Sequence, residues 1–417
     1  MRRMGRSIFG KAPARAWRNK TNGSVGRAAQ RPTTRYRVIY KIGYTFPQMR
    51  NSTASRTLNV RRRLLPRTAR PFTTLFVVAC GTVALLLSLP QTALAAPKEE
   101  KPLLVYSIDV EGGQATLFVA PSGASLLVDA GWPGNDGRDA ARIQKAMQNA
   151  GITTIDHLLV THFHDDHVGG VPQLLKLVSV GEFLDHGVNR EDSDATRANF
   201  AAYEAAIQGK TRRIVHPGDT IDLSGVSAVV LAADGEHIAA VKGAKPQPNP
   251  FCAEEKKWAE DPSENARSVG ILVSYGKFRL LDLGDLTGAK EVALVCPNNP
   301  IGIVDLYLAT HHGMNLSNSA SLVYAVHPRV AIINNGAHKA GSPEAWQTIH
   351  SSPGLEDLWQ LHTAEDSDAA HNSAVDLIAN PAGMPTDGAY LKVSASSNGG
   401  FSVTNSRTRQ TSMYFRK

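Results

Sequence analysis

Acidic side chains are absent from the first 96 residues, and this absence determines how the charge of the chain is interpreted. That segment holds 19 of the 45 Lys and Arg residues, so the rest of the chain carries 26 basic and 37 acidic side chains. The formal net charge of +8 therefore comes from the N-terminal segment alone, and the remainder has a net charge of −11. Because that remainder would repel phosphate groups, its charge argues against a stable complex with nucleic acid.

Beyond Ala96 the chain also lacks a second long apolar run, an internal repeat and a low-complexity linker. Wholesale disorder is excluded because 42% of the residues are hydrophobic and 20% are charged. We therefore predict one large domain. The predicted boundaries are a basic region with a signal peptide over residues 1–95, the large domain over residues 96–385, and a C-terminal β-hairpin and tail over residues 386–417.

The long apolar run at residues 72–89 follows a cluster of arginines and precedes Ala93-Leu94-Ala95. A basic region, an apolar region and a small-x-small site are the layout of a secretory signal peptide. We therefore predict cleavage after Ala95 and export to the periplasm or the medium. Two alternatives stay open, an uncleaved membrane anchor at residues 72–89 and a lipoprotein at Cys80, and membrane contact is expected only in those cases. A translation start at Met49 also stays open.

Export would leave two cysteines, Cys252 and Cys296, in an oxidising compartment. They could form a disulfide there. Their spacing alone does not decide between a disulfide and two buried thiols.

The order of strand-like and helix-like segments predicts an α/β fold. Short apolar runs separated by Gly and Pro turns come first, between residues 103 and 129, which favours hairpins. Helical segments at residues 138–149 and 168–178 then alternate with further short apolar runs, such as residues 157–160 and 278–283. Hairpins first and alternation later favour sheets that are covered by helices.

Histidine is absent before residue 157, and the densest group of the 14 histidines lies at residues 162–167, His-Phe-His-Asp-Asp-His. This group directly follows the apolar run at residues 158–160, so a strand would end by delivering three imidazoles and neighbouring carboxylates. Such side chains would repel one another or stay unsatisfied without a cation between them. Imidazole together with carboxylate suits zinc or a similar divalent metal, so the sequence predicts a metal site.

The hexapeptide at residues 162–167 resembles the H-x-H-x-D-H motif of the metallo-β-lactamase superfamily. Further similar landmarks are Asp129-Ala130-Gly131, Leu283-Gly284-Asp285 and His311-His312-Gly313. The resemblance implies an αββα sandwich, formed by a single domain, that carries a two-metal site on loops at one edge of its sheets.

Within that superfamily the chain resembles in particular the metallo-hydrolase domain of the ComEC-type DNA-uptake proteins and their secreted stand-alone relatives. Ile108-Asp109-Val110, residues 265–268 before a strand, and His311-His312-Gly313 carry this likeness. One departure is that the G-Q-G-D opening of the family reads Glu111-Gly112-Gly113-Gln114 here, which removes an acid. The likeness does not extend to the transmembrane channel of those proteins, so DNA transport is not expected from it.

The resemblance implies two metal ions and divides their ligands between two sites and a bridge. The first ion would take His162 and His164, the second Asp166 and His167, and Asp285 would bridge both.

Later histidines would complete the two metal sites. Neighbouring residues that leave a strand point in different directions, so we expect His312 to be a ligand and His311 to contact substrate or orient a ligand. No motif marks a third histidine on the first ion. His237 is the expected residue, with His186 and His216 behind it.

The chemistry expected of such a site is hydrolysis. A water between two divalent ions loses a proton near neutral pH and attacks a phosphorus or carbonyl centre, while Asp166 or His311 passes a proton to the leaving group. Asp109 and Asp129 are candidates to orient ligating histidines. His338 and Lys339 lie in a loop that the resemblance places at the site mouth, where they would contact an anionic substrate.

The leading hypothesis is an exported hydrolase with two divalent ions, expected to be zinc, that cleaves phosphodiester bonds in nucleic acid, nucleotides or envelope material. One alternative is hydrolysis of a lactam, lactone or thioester, although Cys252 and Cys296 do not occupy the cysteine-ligand position of the best-known zinc β-lactamases. Another is a non-catalytic metal-binding accessory protein related to DNA uptake. A di-iron oxidoreductase is disfavoured, because His164 stands where those relatives have Glu.

Overall fold

The computed structural model describes residues 100–385 and 387–416. Its strands are β1 (Leu103–Ser107), β2 (Thr116–Val119), β3 (Ser125–Val128), β4 (Thr154–Leu159), β5 (Ser179–Asp185), β6 (Arg212–Ile214), β7 (Thr220–Asp222), β8 (Ser227–Ala233), β9 (Glu236–His237), β10 (Gln247–Pro248), β11 (Gly270–Tyr275), β12 (Phe278–Asp282), β13 (Asn298–Asn299), β14 (Leu306–Leu308), β15 (Val330–Ile333), β16 (Asp357–His362), β17 (Ile378–Asn380), β18 (Leu391–Ala395), β19 (Phe401–Asn405) and β20 (Thr411–Tyr414). Its helices are α1 (Arg138–Ala150), α2 (Asp165–Val168), α3 (Val171–Leu174), α4 (Asp194–Ala206), α5 (Gly288–Val295), α6 (Ala320–Val326) and α7 (Pro343–His350). The predicted signal segment, Met49, Cys80 and the cleavage site after Ala95 lie outside the described residues.

Two large sheets dominate the part of the chain that the structure describes. The first has the strand order β20-β19-β18-β1-β2-β3-β4-β5-β6. Its strands are antiparallel from β20 to β3 and parallel from β3 to β6. The second has the order β17-β16-β15-β14-β12-β11-β8-β7, with β9 paired to β8, and it is parallel from β12 to β17. The predicted domain boundaries at residues 95 and 385 stay predictions.

The two sheets and the helices form four layers. One apolar cluster takes residues from both sheets, among them Phe118 and Phe278, and therefore lies between them. A second cluster joins the other face of the first sheet to α1 and α4, and a third joins the second sheet to α5, α6 and α7. This arrangement is an αββα sandwich, so the predicted α/β fold class is confirmed.

The prediction of one helix over residues 168–178 is wrong. The structure has two short helices there, α2 and α3, separated by Gly169 and Gly170. A Cβ atom on Gly170 would lie 2.0 Å from the carbonyl oxygen of Ala130, so only glycine fits at this position. The second helix then begins at Val171, with Pro172 in its first turn.

The carboxyl ends of the parallel strands bring the loops of the candidate site together. Residues 162–167 follow β4, Asp285 follows β12, and His311 and His312 follow β14. Because β12 and β14 are parallel neighbours, their carboxyl ends meet at one edge of the second sheet.

Among the described residues, every helix is too short or too polar to cross a bilayer.

Candidate metal centre

The loop at residues 162–167 is held against both sheets. The backbone of its first neighbour, Thr161, accepts a hydrogen bond from the Val269 N–H (2.9 Å), and the N–H of Thr161 donates to Asp129 Oδ1 (2.8 Å). Asp129 directly follows β3 and Val269 directly precedes β11, so one anchor lies at a strand end of each sheet. The loop therefore leaves β4 at the seam between the two sheets.

Asp285 reaches the same seam through a tight turn after β12. Gly284 has a φ of 54° and lies so close to Thr161 that a Cβ atom would be 3.0 Å from the Thr161 Cβ. The carbonyl of Gly284 also accepts a hydrogen bond from the His311 N–H (2.9 Å). A glycine at this position thus lets the two loops and the turn approach each other.

His311 and His312 both have left-handed backbone conformations, with φ values of 55° and 53°. Residues other than glycine adopt this region at a cost, which functional sites often carry. The result is that both rings face Asp285. The Nε2 atom of His311 lies 3.4 Å from Asp285 Oδ2, and the Nε2 atom of His312 lies 3.3 Å from Asp285 Oδ1. The expected division, with His312 as a ligand and His311 in contact with substrate or a ligand, stays a prediction.

Four buried side chains form the tightest donor group of the site. Asp166, His167, Asp285 and His312 each offer one ligand atom, and these atoms all lie within 4.8 Å of one another. The Nε2 atoms of His167 and His312 are 3.1 Å apart, and each is 3.3 Å from Asp166 Oδ2. The structure therefore brings together the residues that were predicted to hold the second ion, including the bridging acid.

His162 and His164 form a neighbouring pair. The Nε2 atom of His162 lies 3.0 Å from His164 Nδ1 and 4.0 Å from Asp285 Oδ2. His162 is fully buried, whereas the side chain of His164 is about a quarter exposed. These two nitrogens and Asp285 Oδ2 are the donors available for the predicted first ion.

Carboxylates fix the orientation of the histidine rings. Asp129 Oδ2 lies 2.7 Å from His167 Nδ1, which leaves His167 Nε2 directed at the four-residue group. Glu191 Oε2 lies 2.9 Å from His164 Nε2, which leaves His164 Nδ1 facing His162. The sequence suggested Asp129 through its Asp-x-Gly turn, but it contained no signal for Glu191, which follows an irregular segment 27 residues later.

The charges of the cluster oppose one another. Burial alone would raise the pKa of the Asp285 carboxyl, but the facing His167, His312 and His311 imidazoles hold this pKa well below its ordinary value. Burial lowers the pKa of His162 well below its ordinary value, and the neighbouring His167 and His164 add to that effect. The cluster thus contains ionised carboxylates beside an imidazole whose free electron pair can bind a cation.

The donor set fits a divalent metal ion. Asp285 Oδ1 is buried and makes no hydrogen bond with acceptable geometry among the described residues, although His312 Nε2 lies close to it. Imidazole nitrogens and carboxylate oxygens converging on one point are the donors that zinc and similar divalent ions prefer. The residues present can therefore hold metal, although they do not identify the element.

Lys339 reaches the cluster and His338 does not. The Lys339 ammonium forms an ion pair with Asp166 Oδ2 and lies 4.4 Å from the centre of the Trp132 ring. The side chain of His338 is 70% exposed and lies 3.2 Å from Asp366, away from the donor atoms. Of the two predicted substrate contacts, the geometry supports Lys339 alone.

Three further histidines named from the sequence lie apart from the donor atoms. His237 is exposed on β9, and its Nδ1 is 3.1 Å from the Ile238 carbonyl oxygen. His186 is buried with its Nε2 2.9 Å from Glu264, and His216 is exposed. The ligand role expected of His237 therefore stays a prediction, and the one hydrogen-bond contact of its side chain among the described residues is with the Ile238 carbonyl oxygen.

Gln114 stands where the G-Q-G-D opening of the family has its acid, and its side chain contacts an acid from another segment, Asp282. The side-chain amide of Gln114 donates hydrogen bonds to both oxygens of Asp282 (3.1 and 2.9 Å). Burial raises the pKa of Asp282 to about 6, against the opposing effect of these hydrogen bonds.

Asp109, the other predicted orienting acid, lies 2.7 Å from His362 and 3.1 Å from Arg142. Its contacts are therefore with residues outside the metal donor group.

Comparison with known proteins finds relatives for part of this chain. Residues 109–243 match the family model described as "Metallo-beta-lactamase superfamily". The chain is 26% identical over 234 residues to recombination protein 2 of Haemophilus influenzae (56% of this chain, 24% of the relative) and 26% identical over 190 residues to ComE operon protein 3 of Bacillus subtilis (45% and 20%). It is also 33% identical over 111 residues to an atrochrysone carboxyl ACP thioesterase of Pseudocercospora fijiensis (26% and 32%). The chain thus spans a fifth to a third of the length of these relatives, and the predicted likeness to the ComEC-type proteins is confirmed.

Proposed function

We propose that this chain, which carries a hydrolase domain of the metallo-β-lactamase superfamily, is an exported enzyme that uses two divalent ions to cleave phosphodiester bonds. The observation that carries this proposal is the buried convergence of Asp166, His167, Asp285 and His312, with the Lys339 ammonium against Asp166. Donors of this kind hold divalent ions, and an ammonium at their edge suits a substrate with negative charge.

The roles of the residues follow from their positions. When bound, two divalent ions would bring the pKa of a water between them to about 7 and so supply the nucleophile. Lys339 would pair with a non-bridging phosphate oxygen and so hold the ester beside the cluster. The Nε2 atom of His311, near Asp285 yet outside the tight four-residue group, would donate a proton to the leaving oxygen as the phosphorus–oxygen bond breaks.

The charge of the chain supports a phosphodiester as the substrate. The negative net charge beyond residue 96 opposes long contacts with a phosphate backbone, so an anionic ester would be bound locally by Lys339 and the metal ions. A relative named for recombination favours a nucleic-acid or nucleotide ester over an envelope ester.

Export is supported by Cys252 and Cys296, which form a disulfide with their Cα atoms 5.8 Å apart. Disulfides persist in oxidising compartments and are rare where thiols are kept reduced. The alternatives left open by cysteine spacing are thereby reduced to one.

Metal content and turnover of bis-p-nitrophenyl phosphate test the proposal. We expect two metal ions per purified chain, turnover that chelation removes and zinc restores, and a loss of at least ~100-fold in kcat/KM for His164→Ala. His157→Ala is the matched control, because His157 on β4 pairs with Glu182 on β5, outside the donor cluster. Turnover that survives chelation, or that His164→Ala leaves intact, contradicts the proposal.

A second candidate function is thioester hydrolysis, which the similarity to the fungal thioesterase favours. The same nucleophile can attack a carbonyl carbon or a phosphorus atom, so metal content does not separate the two functions. A panel of an acyl thioester, nitrocefin and bis-p-nitrophenyl phosphate does. Preferred turnover of the thioester would replace the phosphodiester proposal, and full metal occupancy without turnover of any ester would favour an accessory protein.

A further inference from the structure

The first ion has fewer protein donors than the second. His162 Nε2, His164 Nδ1 and Asp285 Oδ2 are its available donors. Zinc at a catalytic site usually takes three protein ligands and keeps one position for water, and here Asp285 would be shared with the second ion, which leaves the first ion two ligands of its own. His237, the histidine expected to complete the set, is exposed and lies beside the Ile238 carbonyl. A further ligand would have to come from another segment.

The segment Glu264–Arg267 with Ser268 lies directly along this histidine pair. At one end, Ser268 Oγ is 3.4 Å from His162 Nδ1 and accepts a hydrogen bond from the Asp285 N–H (3.2 Å). At the other end, Glu264 Oε2 accepts from the Phe163 N–H (3.2 Å). The Glu264 N–H donates to Glu191 Oε2 (3.0 Å), and that oxygen also lies 2.9 Å from His164 Nε2. Both ends of the segment are therefore fixed to the residues that carry the first pair of imidazoles.

Asn265 lies between those two anchors, and its side-chain oxygen is unsatisfied. The residue is 9% exposed, and Oδ1 is buried without a hydrogen-bond partner among the described residues. Leaving a buried carbonyl unpaired costs free energy, so such atoms in folded proteins usually have a partner. Its backbone is fully engaged, because the Asn265 N–H donates to Ser263 and its carbonyl accepts from Ser268.

We infer that the Asn265 carboxamide oxygen is the missing ligand of the first metal ion, in place of a third histidine. The inference rests on the two-metal site proposed above. A site of two imidazoles, one amide carbonyl and one carboxylate has more hard oxygen donors than a three-histidine site. Carbonyl and carboxylate oxygens suit manganese and magnesium, and imidazole suits zinc, so the first site should hold zinc less tightly than the second and accept manganese more readily.

Metal binding by four purified full-length proteins tests the assignment without reference to turnover. Wild type, Asn265→Ala, Asn265→Asp and Asn299→Ala are stripped with chelator, titrated with zinc against a chromogenic chelator, and reloaded with cobalt for absorption spectra. Asn299→Ala is the matched control, because Asn299 is a buried asparagine whose Oδ1 accepts from Ile301 and Gly302 on a distant turn.

We expect two zinc sites of unequal affinity in wild type, with the weaker one further weakened by ~10-fold or more in Asn265→Ala. Asn265→Asp replaces a carbonyl with a carboxylate of the same size, so it should tighten the weaker site and change the cobalt spectrum. Asn299→Ala should lower the melting temperature while both zinc affinities stay as in wild type.

Equal zinc affinities in wild type and both Asn265 variants overturn the inference and leave the two-metal proposal standing. A wild type that binds fewer than two ions overturns both together. If circular dichroism shows that Asn265→Ala is unfolded, the Asn265→Asp titration decides, since an unchanged weaker site in that variant also overturns the assignment.

Discussion

Asp129, His311 and His312 share a backbone conformation that side chains seldom adopt. Their φ values lie between 53° and 61°, and each such residue costs of order 1–3 kcal/mol unless its surroundings hold it. Asp129 is held by two hydrogen bonds from Thr161, and the loop of the histidines is held by the amide of Asn318, which donates to the carbonyls of Thr310 and Met314. These three residues, which set the direction of metal-binding side chains, therefore bear the conformational cost of the left-handed backbone.

Asp129→Asn tests the orienting role of this acid. Asparagine tolerates the left-handed region, so the backbone should persist while the negative charge beside His167 Nδ1 is lost. We expect the stronger zinc affinity to fall by ~10–100-fold in a chelator competition. Asp156→Asn is the matched control, because Asp156 accepts from the N–H and hydroxyl of Ser125 as Asp129 does from Thr161. An equal effect in both variants would assign the loss to general destabilisation.

Glu191→Gln addresses the other histidine pair. With the carboxylate gone, the tautomer and ring direction of His164 are less well defined, so zinc at the first site should dissociate ~10-fold more readily. Glu182→Gln removes the same kind of contact, from His157 Nδ1 at 3.0 Å, outside the donor cluster. Stopped-flow release of zinc to a chelator should distinguish the two variants, and indistinguishable rates would contradict the role given to Glu191.

At the scale of residues, the sequence could predict the donors that lie close together and little of what surrounds them. Residues 162–167 could be recognised as metal ligands because three histidines and two aspartates lie within six consecutive positions. Glu191 lies 27 residues from His164 and in no pattern that distinguishes it from ordinary loop polarity. Residues 265–268 contributed to the family likeness, but nothing in their pattern assigned Asn265 to a metal. The ligand role of His237 stays a prediction, and position after a strand was its only signal.

At the scale of elements, α5 and α6 are joined by a buried acid. The carboxylate of Glu291 on α5 accepts hydrogen bonds from the N–H groups of Asn318 (3.0 Å) and Ser319 (2.6 Å), just before α6. Burial raises the pKa of Glu291 to about 7, against the opposing effect of these N–H groups. The acid thus satisfies the start of α6, but in a place where its charge is poorly tolerated.

A pH dependence of stability follows from Glu291. Its folded-state pKa of about 7 lies above the ordinary value of 4.5, so its contribution is fully present below about pH 4.5 and is lost as the pH rises through 7. Relative to Glu291→Gln, the free energy of unfolding of wild type should fall by up to about 3 kcal/mol between pH 5 and pH 8. Urea unfolding of both metal-stripped proteins measures this difference, and a constant difference across the range would contradict it.

Element boundaries were predictable where local signals agree. The helix predicted at residues 138–149 is α1, Arg138–Ala150, which Gly151 ends with a left-handed conformation. In place of the helix predicted over residues 168–178, the structure has α2 and α3 on either side of Gly169 and Gly170, where the tertiary approach of Ala130 leaves room only for glycine at position 170. The sandwich itself followed from the resemblance, because no local pattern states which strands lie next to each other.

At the scale of the whole molecule, the disulfide ties the long excursion before β11 to the end of α5. Cys252 and Cys296 are 44 residues apart in sequence. In the chain-entropy account, closing a loop of this size stabilises a protein by about 2–4 kcal/mol. The double variant Cys252→Ala, Cys296→Ala should therefore melt several degrees lower, as should wild type in reductant, while its zinc content stays unchanged. Equal melting temperatures with and without reductant would contradict a disulfide in the purified protein.

The pairing of β1 with β18 places Leu103 opposite Ala395. Strand β1 therefore lies in the interior of the first sheet, between β2 and a strand from a segment far later in the sequence. Contacts between such distant segments form slowly, and until β18 pairs with it one side of β1 offers unpaired backbone to other strands. Completion of the first sheet thus depends on this one long-range pairing.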